Sequence, residues 1–259
     1  MNYVSCEVKD KVGWVTFSNP AKRNALSPDL LNELIETLDR LKGEEIPVVI
    51  FRTEGGKGVW SAGFDINVIG QQAHDPLSYD SPMEQLLRSI QHYPGPVICM
   101  VDGSVWGGAC DIAVTCDLII GDENCSFAIT PVKIGLPYNA SGILHFINRV
   151  GLNIAKEMFF TARPIKADRA LQVGLLNHLV PARELEAFTA DMAGKIAAYS
   201  TLTISVIKEQ FRILSNAHPI NPDGFERILG LRRRAYKSKD YQEGVRAFLE
   251  KRKPKFTGK

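Results

Sequence analysis

The sequence predicts an α/β protein, on three observations. Apolar runs of three to five residues, Val48–Phe51, Val97–Val101 and Leu118–Ile120, are short enough to be strands buried on both faces. Apolar residues between and after them recur at helical spacing, so strands alternate with helices. Two segments, Trp60-Ser61-Ala62-Gly63-Phe64-Asp65 and Trp106-Gly107-Gly108-Ala109-Cys110, carry glycine where a strand turns into a helix.

Val12–Phe17 reads as the first clear strand, closed by the turn Ser18-Asn19-Pro20. Ser27 is then an N-cap with Pro28 in the first helical position. Leu30, Leu31, Leu34, Ile35, Leu38 and Leu41 line one face of the helix that follows, and Gly43 ends it. Between Val59 and Pro82 there is little periodicity, which predicts a mobile loop beside the site. After Gly151 the chain becomes mostly helical, with amphipathic stretches near 154–160, 167–173, 184–198, 201–217, 222–237 and 240–250 and one short strand at Leu175–Val180.

The 259 residues, 45% hydrophobic and 23% charged, suit a globular protein able to bury a sizeable core. A formal charge of +2 gives no support to a nucleic-acid partner, although the tail from Lys251 to Lys255 is locally basic. The five cysteines are an odd number with no Cys-x-x-Cys pair, and they read as reduced thiols. No apolar window approaches a membrane span and the N-terminus lacks a leader pattern, so the expected location is cytoplasmic. The histidines have no metal-ligand spacing, and no metal is expected. The Arg232-Arg233-Arg234 run reads as a solvated helix face.

Two adjacent glycines let a substrate approach the backbone, and amides at a helix start favour negative charge. If the turns at 60–65 and 106–110 converge, two donors meet one thioester oxygen and stabilise an enolate.

The ordered set Arg23-Asn24-Ala25-Leu26, Ser61–Ile66, Gly107-Gly108-Ala109, Cys116-Asp117-Leu118-Ile119 and Gly135-Leu136-Pro137 resembles the crotonase, or enoyl-CoA hydratase/isomerase, superfamily over essentially the whole chain. The resemblance implies a spiral of β-β-α turns over residues 1–200 and a helical region over 201–259 that forms homotrimers, often paired into hexamers. It implies an acyl-CoA thioester substrate, with coenzyme A part of that substrate and no separate cofactor. It assigns the oxyanion amides to Phe64 and Gly108, and the adenine and pantetheine to Arg23, Ala25, Ala62, Gly63, Asp65 and Ile66.

A hydratase of this superfamily uses two glutamates, and this sequence has Asp111 at one place and Val132 at the other. Adding water needs a placed acid and base, so hydration is disfavoured. Asp75–Asp80, Gly103–Ala109, Thr130-Pro131-Val132, Gly135–Asn139 and Phe248–Pro254 resemble instead the methylmalonyl-CoA decarboxylase branch, which carries histidine where this chain has Phe64 and glutamate where it has Asp111. That resemblance implies that Tyr138 orients the leaving carboxylate, with Thr130 assisting, Val132 among its apolar neighbours and Lys251 near the CoA phosphates. Losing CO2 from a malonyl-type thioester leaves its electron pair on Cα as an enolate, and no base is required. Asp111 is a candidate for handling the proton, or a residue bonded to its own helix or a neighbouring lysine. Two alternatives stay open: a hydratase or isomerase acting on an unusual acyl-CoA with Asp111 as its single acid/base, and a non-catalytic acyl-CoA-binding protein.

Overall fold

A computed structural model describes residues 3–54, 58–65, 75, 77–217, 219 and 221–258. The larger of its two sheets holds β1 (Val4–Lys9), β2 (Val12–Phe17), β3 (Val48–Thr53), β5 (Val97–Val101), β7 (Leu118–Gly121) and β10 (His178–Leu179), adjacent in that order. The smaller holds β4 (Val59–Ser61), β6 (Ser104–Trp106), β8 (Ser126–Ala128) and β9 (Ile165–Lys166). From β2 to β7 the pairing is parallel, with Trp14 beside Ile50, Ile50 beside Ile98 and Ile98 beside Leu118.

Each turn of the chain lays one strand in the large sheet, the next in the small sheet, and then a helix. β3 and β4 lead to α2 (Pro82–His92), β5 and β6 to α3 (Gly108–Thr115), and β7 and β8 to α4 (Ala140–Thr161). Successive turns step one place along both sheets, which is the β-β-α spiral. The apolar runs are continuous because both faces of the large sheet are covered. Val49 and Phe51 enter the main core with α1 (Pro28–Gly43), while Val48 and Ile50 face a second core that includes Leu185 and Ala193 of α6 (Leu185–Ala197).

Local signals place the helix ends. Ser27 Oγ accepts from the Leu30 amide at 3.3 Å, Pro28 opens α1, and its leucine face is buried. Helix α4 starts earlier than its periodicity predicts. Asn139 Oδ1 caps the Gly142 amide at 3.1 Å, and the helix crosses Gly151 at φ 75° as a kink. The predicted strand at 175–180 shortens to His178–Leu179, parallel to β7. Most of the loop expected to be mobile lies outside the described residues. All five cysteines are free, and Cys99, Cys110, Cys116 and Cys125 are buried; burial pushes the Cys125 thiol up to about 12.

After the short α5 (Ala167–Gln172) and α6, three helices complete the chain: α7 (Thr201–Ser215), α8 (Pro222–Tyr236) and α9 (Lys239–Leu249). Lys208 ties α7 to the core, its Nζ donating to the carbonyls of Ile90 at 3.0 Å and Gly95 at 2.9 Å and to Asp117 at 2.7 Å. One expectation is corrected here. Arg232 is not part of a solvated face: it is 8% exposed and grips Asp75 with both terminal nitrogens, at 2.7 and 2.8 Å. It thereby ties α8 to the stretch leading into the site, a grip that depends on the planar fork. Arg232→Lys should lower stability by roughly 1–2 kcal/mol and the melting temperature by a few degrees. An unchanged melt would reduce the pair to a surface contact.

Candidate active site

The first glycine turn is stitched to the chain ahead of α1. Asn24 Nδ2 donates to the Trp60 carbonyl at 3.1 Å, and Ser61 Oγ donates to the Asn24 carbonyl at 2.6 Å. Leu26 and Phe64 then form a parallel bridge, with Leu26 N donating to Gly63 O at 2.8 Å and Asp65 N to Leu26 O at 3.1 Å. In that pattern the neighbours of Phe64 make both bonds, so the Phe64 amide faces away from Leu26.

The second turn abuts the first. A Cβ on Gly63, which sits at φ 80°, would lie 2.4 Å from the Trp106 carbonyl oxygen, and only glycine fits that approach. Gly107, at φ 52°, is the N-cap of α3, and Gly108 is the first helical residue. A first-turn amide has no acceptor within its own helix. Among the described residues no acceptor engages the amide of Phe64 or of Gly108. The Phe64 ring edge comes within 3.3 Å of the Cβ position of Gly108.

Both turns open on a cavity of ≈ 70 Å³, several times the ~10–15 Å³ that one water needs. Ala62, Phe64, Gly107 and Gly108 form one wall; Thr130, Pro131, Ile134, Leu136 and Tyr138 form the other, with Leu77. None of these side chains is charged at neutral pH. Tyr138 alone among them carries an ordinarily titratable proton.

Behind Tyr138 lies a buried polar chain. Its hydroxyl donates to Asp111 Oδ2 at 2.9 Å, and Asp111 Oδ1 is 2.8 Å from His145 Nδ1. Asp111 is 1% exposed. Burial, with the Asp111 charge next, pushes the Tyr138 phenol well above its ordinary value. For His145 burial acts downward, and the charge and hydrogen bond of Asp111 more than offset it, so its pKa is raised. Glu84 on α2 is buried nearby, holding Asn139 Nδ2 at 2.6 Å and Ser141 Oγ at 3.0 Å. Burial raises its pKa against the downward pull of the Asn139 bond.

The family model for enoyl-CoA hydratase/isomerase matches residues 7–259. Methylmalonyl-CoA decarboxylase of Escherichia coli (strain K12) is 48% identical over 256 residues, covering 99% of this chain and 98% of that protein. The chain belongs to the enoyl-CoA hydratase/isomerase family. Two solved structures of methylmalonyl-CoA decarboxylase, one in complex with 2-nitronate-propionyl-CoA and one with 2S-carboxypropyl CoA, each superpose with a TM-score of 0.97 at 48% identity. Each covers 100% of this chain, which in turn spans 99% of theirs.

As a member of this family the chain lacks both glutamates that the resemblance ties to hydration. Asp111 bonds neither its own helix nor a lysine: its partners are Tyr138 and His145. Val132 is 48% exposed and absent from the cavity wall, so Ile134 and Leu136 supply the apolar surface expected of it. Phe64, Gly108, Thr130, Ala62 and Tyr138 are brought together. Gly63 and Asp65 flank Phe64, with Asp65 paired to Lys22 Nζ at 3.3 Å. Arg23 is exposed in the left-handed region at φ 53°, and Ala25 is half-buried. Lys251 is exposed just beyond α9 and does not line the cavity, while Ile66 falls outside the described residues. Sequence reasoning missed His145, Glu84 and Asn139. The one local signal among them is Asn139, a helix cap directly after Tyr138.

Proposed function

We propose that this chain decarboxylates methylmalonyl-CoA to propionyl-CoA through an enolate held by the amides of Phe64 and Gly108. The observation that carries the reading is a cavity whose described lining is uncharged and brings two unengaged amides together with Tyr138. In this reading the thioester oxygen sits between the amides and the carboxylate turns toward Tyr138, out of the thioester plane. The breaking bond then overlaps the carbonyl π system. The developing charge moves toward the two donors as neutral CO2 leaves into an apolar surround. A fixed cation beside the carboxylate would stabilise the ground state and slow the reaction; among the described residues the cavity wall has none.

The Asp111 charge behind Tyr138 works in the same direction, because it opposes a second carboxylate in the cavity. Arg23, Ala25, Ala62, Gly63, Asp65 and Ile66 are read as the track for the pantetheine and adenine, with no cofactor beyond the coenzyme A of the substrate. Lys251 is read as a contact for the CoA phosphates. A screened surface charge contributes little. Lys251→Ala should therefore raise KM modestly, and more at low ionic strength; an unmoved KM at low salt would return it to solvent.

The reading extends to a homotrimer or a dimer of trimers. Ile207, Phe211 and Leu214 of α7, spaced i, i+4, i+7 along the helix, are 45–70% exposed, an apolar face that suits a second copy of this chain; light scattering in solution tests it. Four buried free thiols suit a reducing, cytoplasmic compartment. No described helix is long and apolar enough to cross a membrane. The activity is tested by following CO2 release from malonyl-, methylmalonyl- and ethylmalonyl-CoA beside hydration of crotonyl-CoA. Turnover of crotonyl-CoA with no CO2 from any malonyl thioester would overturn it.

A further inference from the structure

Decarboxylation consumes one proton per turnover: the C–C bond pair passes to Cα as CO2 leaves, and Cα takes a proton in return. Among the described residues Tyr138 is the one cavity-lining side chain with an ordinarily titratable proton. It cannot serve repeatedly unless it is resupplied. Behind it, Asp111 is buried on α3 and touches Tyr138 with one oxygen and His145 with the other, at 2.9 and 2.8 Å. His145 does not face the cavity. It lines a separate pocket of ≈ 610 Å³ with Gln91, Thr115, Arg149 and Lys208, and also with Phe211 and Leu214, the α7 residues read above as facing a second copy. Three titratable groups in direct hydrogen-bond contact thus link this pocket to the site. Pairing a tyrosine, a carboxylate and a histidine in a core has a large desolvation cost, which an apolar core would avoid.

We propose that the proton that quenches the enolate enters from this second pocket, at His145, and reaches Cα through Asp111 and Tyr138. This rests on the decarboxylase reading and deepens it. Tyr138 Oη swings its single proton from Asp111 Oδ2 into the cavity and gives it to Cα. Asp111 takes the Nδ1 proton of the His145 imidazolium, turns its carboxyl, and returns a proton to the phenolate. Neutral His145 recovers one from pocket water, for which the Thr115 hydroxyl, 3.3 Å from Nδ1, is the nearest relay. Tyr138 and Asp111 end as they began, and the net change is one solvent proton moved to Cα. His145 Nε2 lies 2.9 Å from the Gln91 amide, which holds the ring in register. The charged groups facing His145 are Asp111 on α3, Glu84 on α2, and Asp117, Arg149, Lys208 and Arg212 around the pocket. Burial lowers its pKa and the first two more than offset it, so the value is raised and the imidazolium is lost as pH rises through that raised value.

His145 is a positioning residue and a proton entry, and its test separates these from mere packing. Loss of CO2 is the first irreversible step, so kcat/KM reports on events up to it, whereas kcat also includes protonation. His145→Ala is expected to lower kcat at least tenfold with KM falling in step. Imidazole added to that variant should restore kcat, while pyrazole, a ring of the same size that stays unprotonated near neutrality, should not. His145→Gln, which keeps an amide donor toward Asp111, should fold as wild type and show the same loss of kcat. Retained kcat in both variants would overturn the relay, as would equal rescue by the two azoles or a fall confined to kcat/KM. A wild-type protein that releases no CO2 would overturn the decarboxylase reading itself.

Discussion

Gly108→Pro is expected to lower kcat/KM by about 10²–10³-fold, the usual worth of one oxyanion donor. The structure makes this a sharper test than the sequence alone implies. Gly108 is the first residue of α3, and proline is well accommodated there because no intrahelical bond is lost. New atoms on that residue meet Phe64 Cδ2 at 3.3 Å, Leu26 Cδ1 at 3.6 Å and Met83 Cε at 3.7 Å, all side chains that can adjust. Gly108→Ala is the control, since it adds the same Cβ and keeps the amide. Turnover on methylmalonyl-CoA and the melting temperature should be measured for both. A folded proline variant with undiminished turnover would remove Gly108 from the oxyanion hole.

Tyr138→Phe should lower kcat by roughly 10²-fold with little change in CoA-ester affinity, because it deletes the one hydroxyl that can turn its proton from Asp111 to the substrate, first to aim the carboxylate and then to protonate Cα. The ring stays in place through its edge contacts with Phe159 at 5.2 Å and Phe146 at 6.4 Å. The variant also leaves Asp111 Oδ2 without its donor in a buried setting, at a stability cost of about 1–3 kcal/mol. Asp111→Asn should act differently, lowering kcat about tenfold through protonation while kcat/KM for CO2 release changes little. A hydratase using Asp111 would reverse the ranking, with Asp111→Asn inactive and Tyr138→Phe nearly silent. Measuring both variants on methylmalonyl-CoA and on crotonyl-CoA distinguishes the two chemistries.

The parts of the site legible in the sequence are those written in short-range sterics. Gly63 and Gly107 stand where the backbone takes positive φ, Ser27 and Pro28 where α1 begins, and the buried strands where apolar residues run without interruption. Each of these signals acts over a few residues, so it survives without knowledge of the rest of the chain. The three-residue strands β4, β6 and β8 were not legible in the same way. Strands that short have no periodicity of their own and exist because parallel neighbours pair with them. Helix α4 was half hidden as well, since Gly142 and Gly151 break the pattern that packing and the Asn139 cap sustain.

The sequence by itself determined the α/β alternation, the two glycine turns and, through its ordered motifs, the family and the expected enolate chemistry. Only the tertiary structure decided what stands behind the reacting atoms. Asp111 lies 27 residues from Tyr138 and 34 from His145, and Arg232 lies 157 from Asp75. No local pattern links such pairs, because a buried polar group is partnered by whatever the returning chain brings within hydrogen-bond distance. Burial then makes that partnership compulsory. A carboxylate that reads in sequence as a shortened catalytic acid, and a histidine whose spacing marks no site, become one connected path. They do so because the spiral closes α4 over α3.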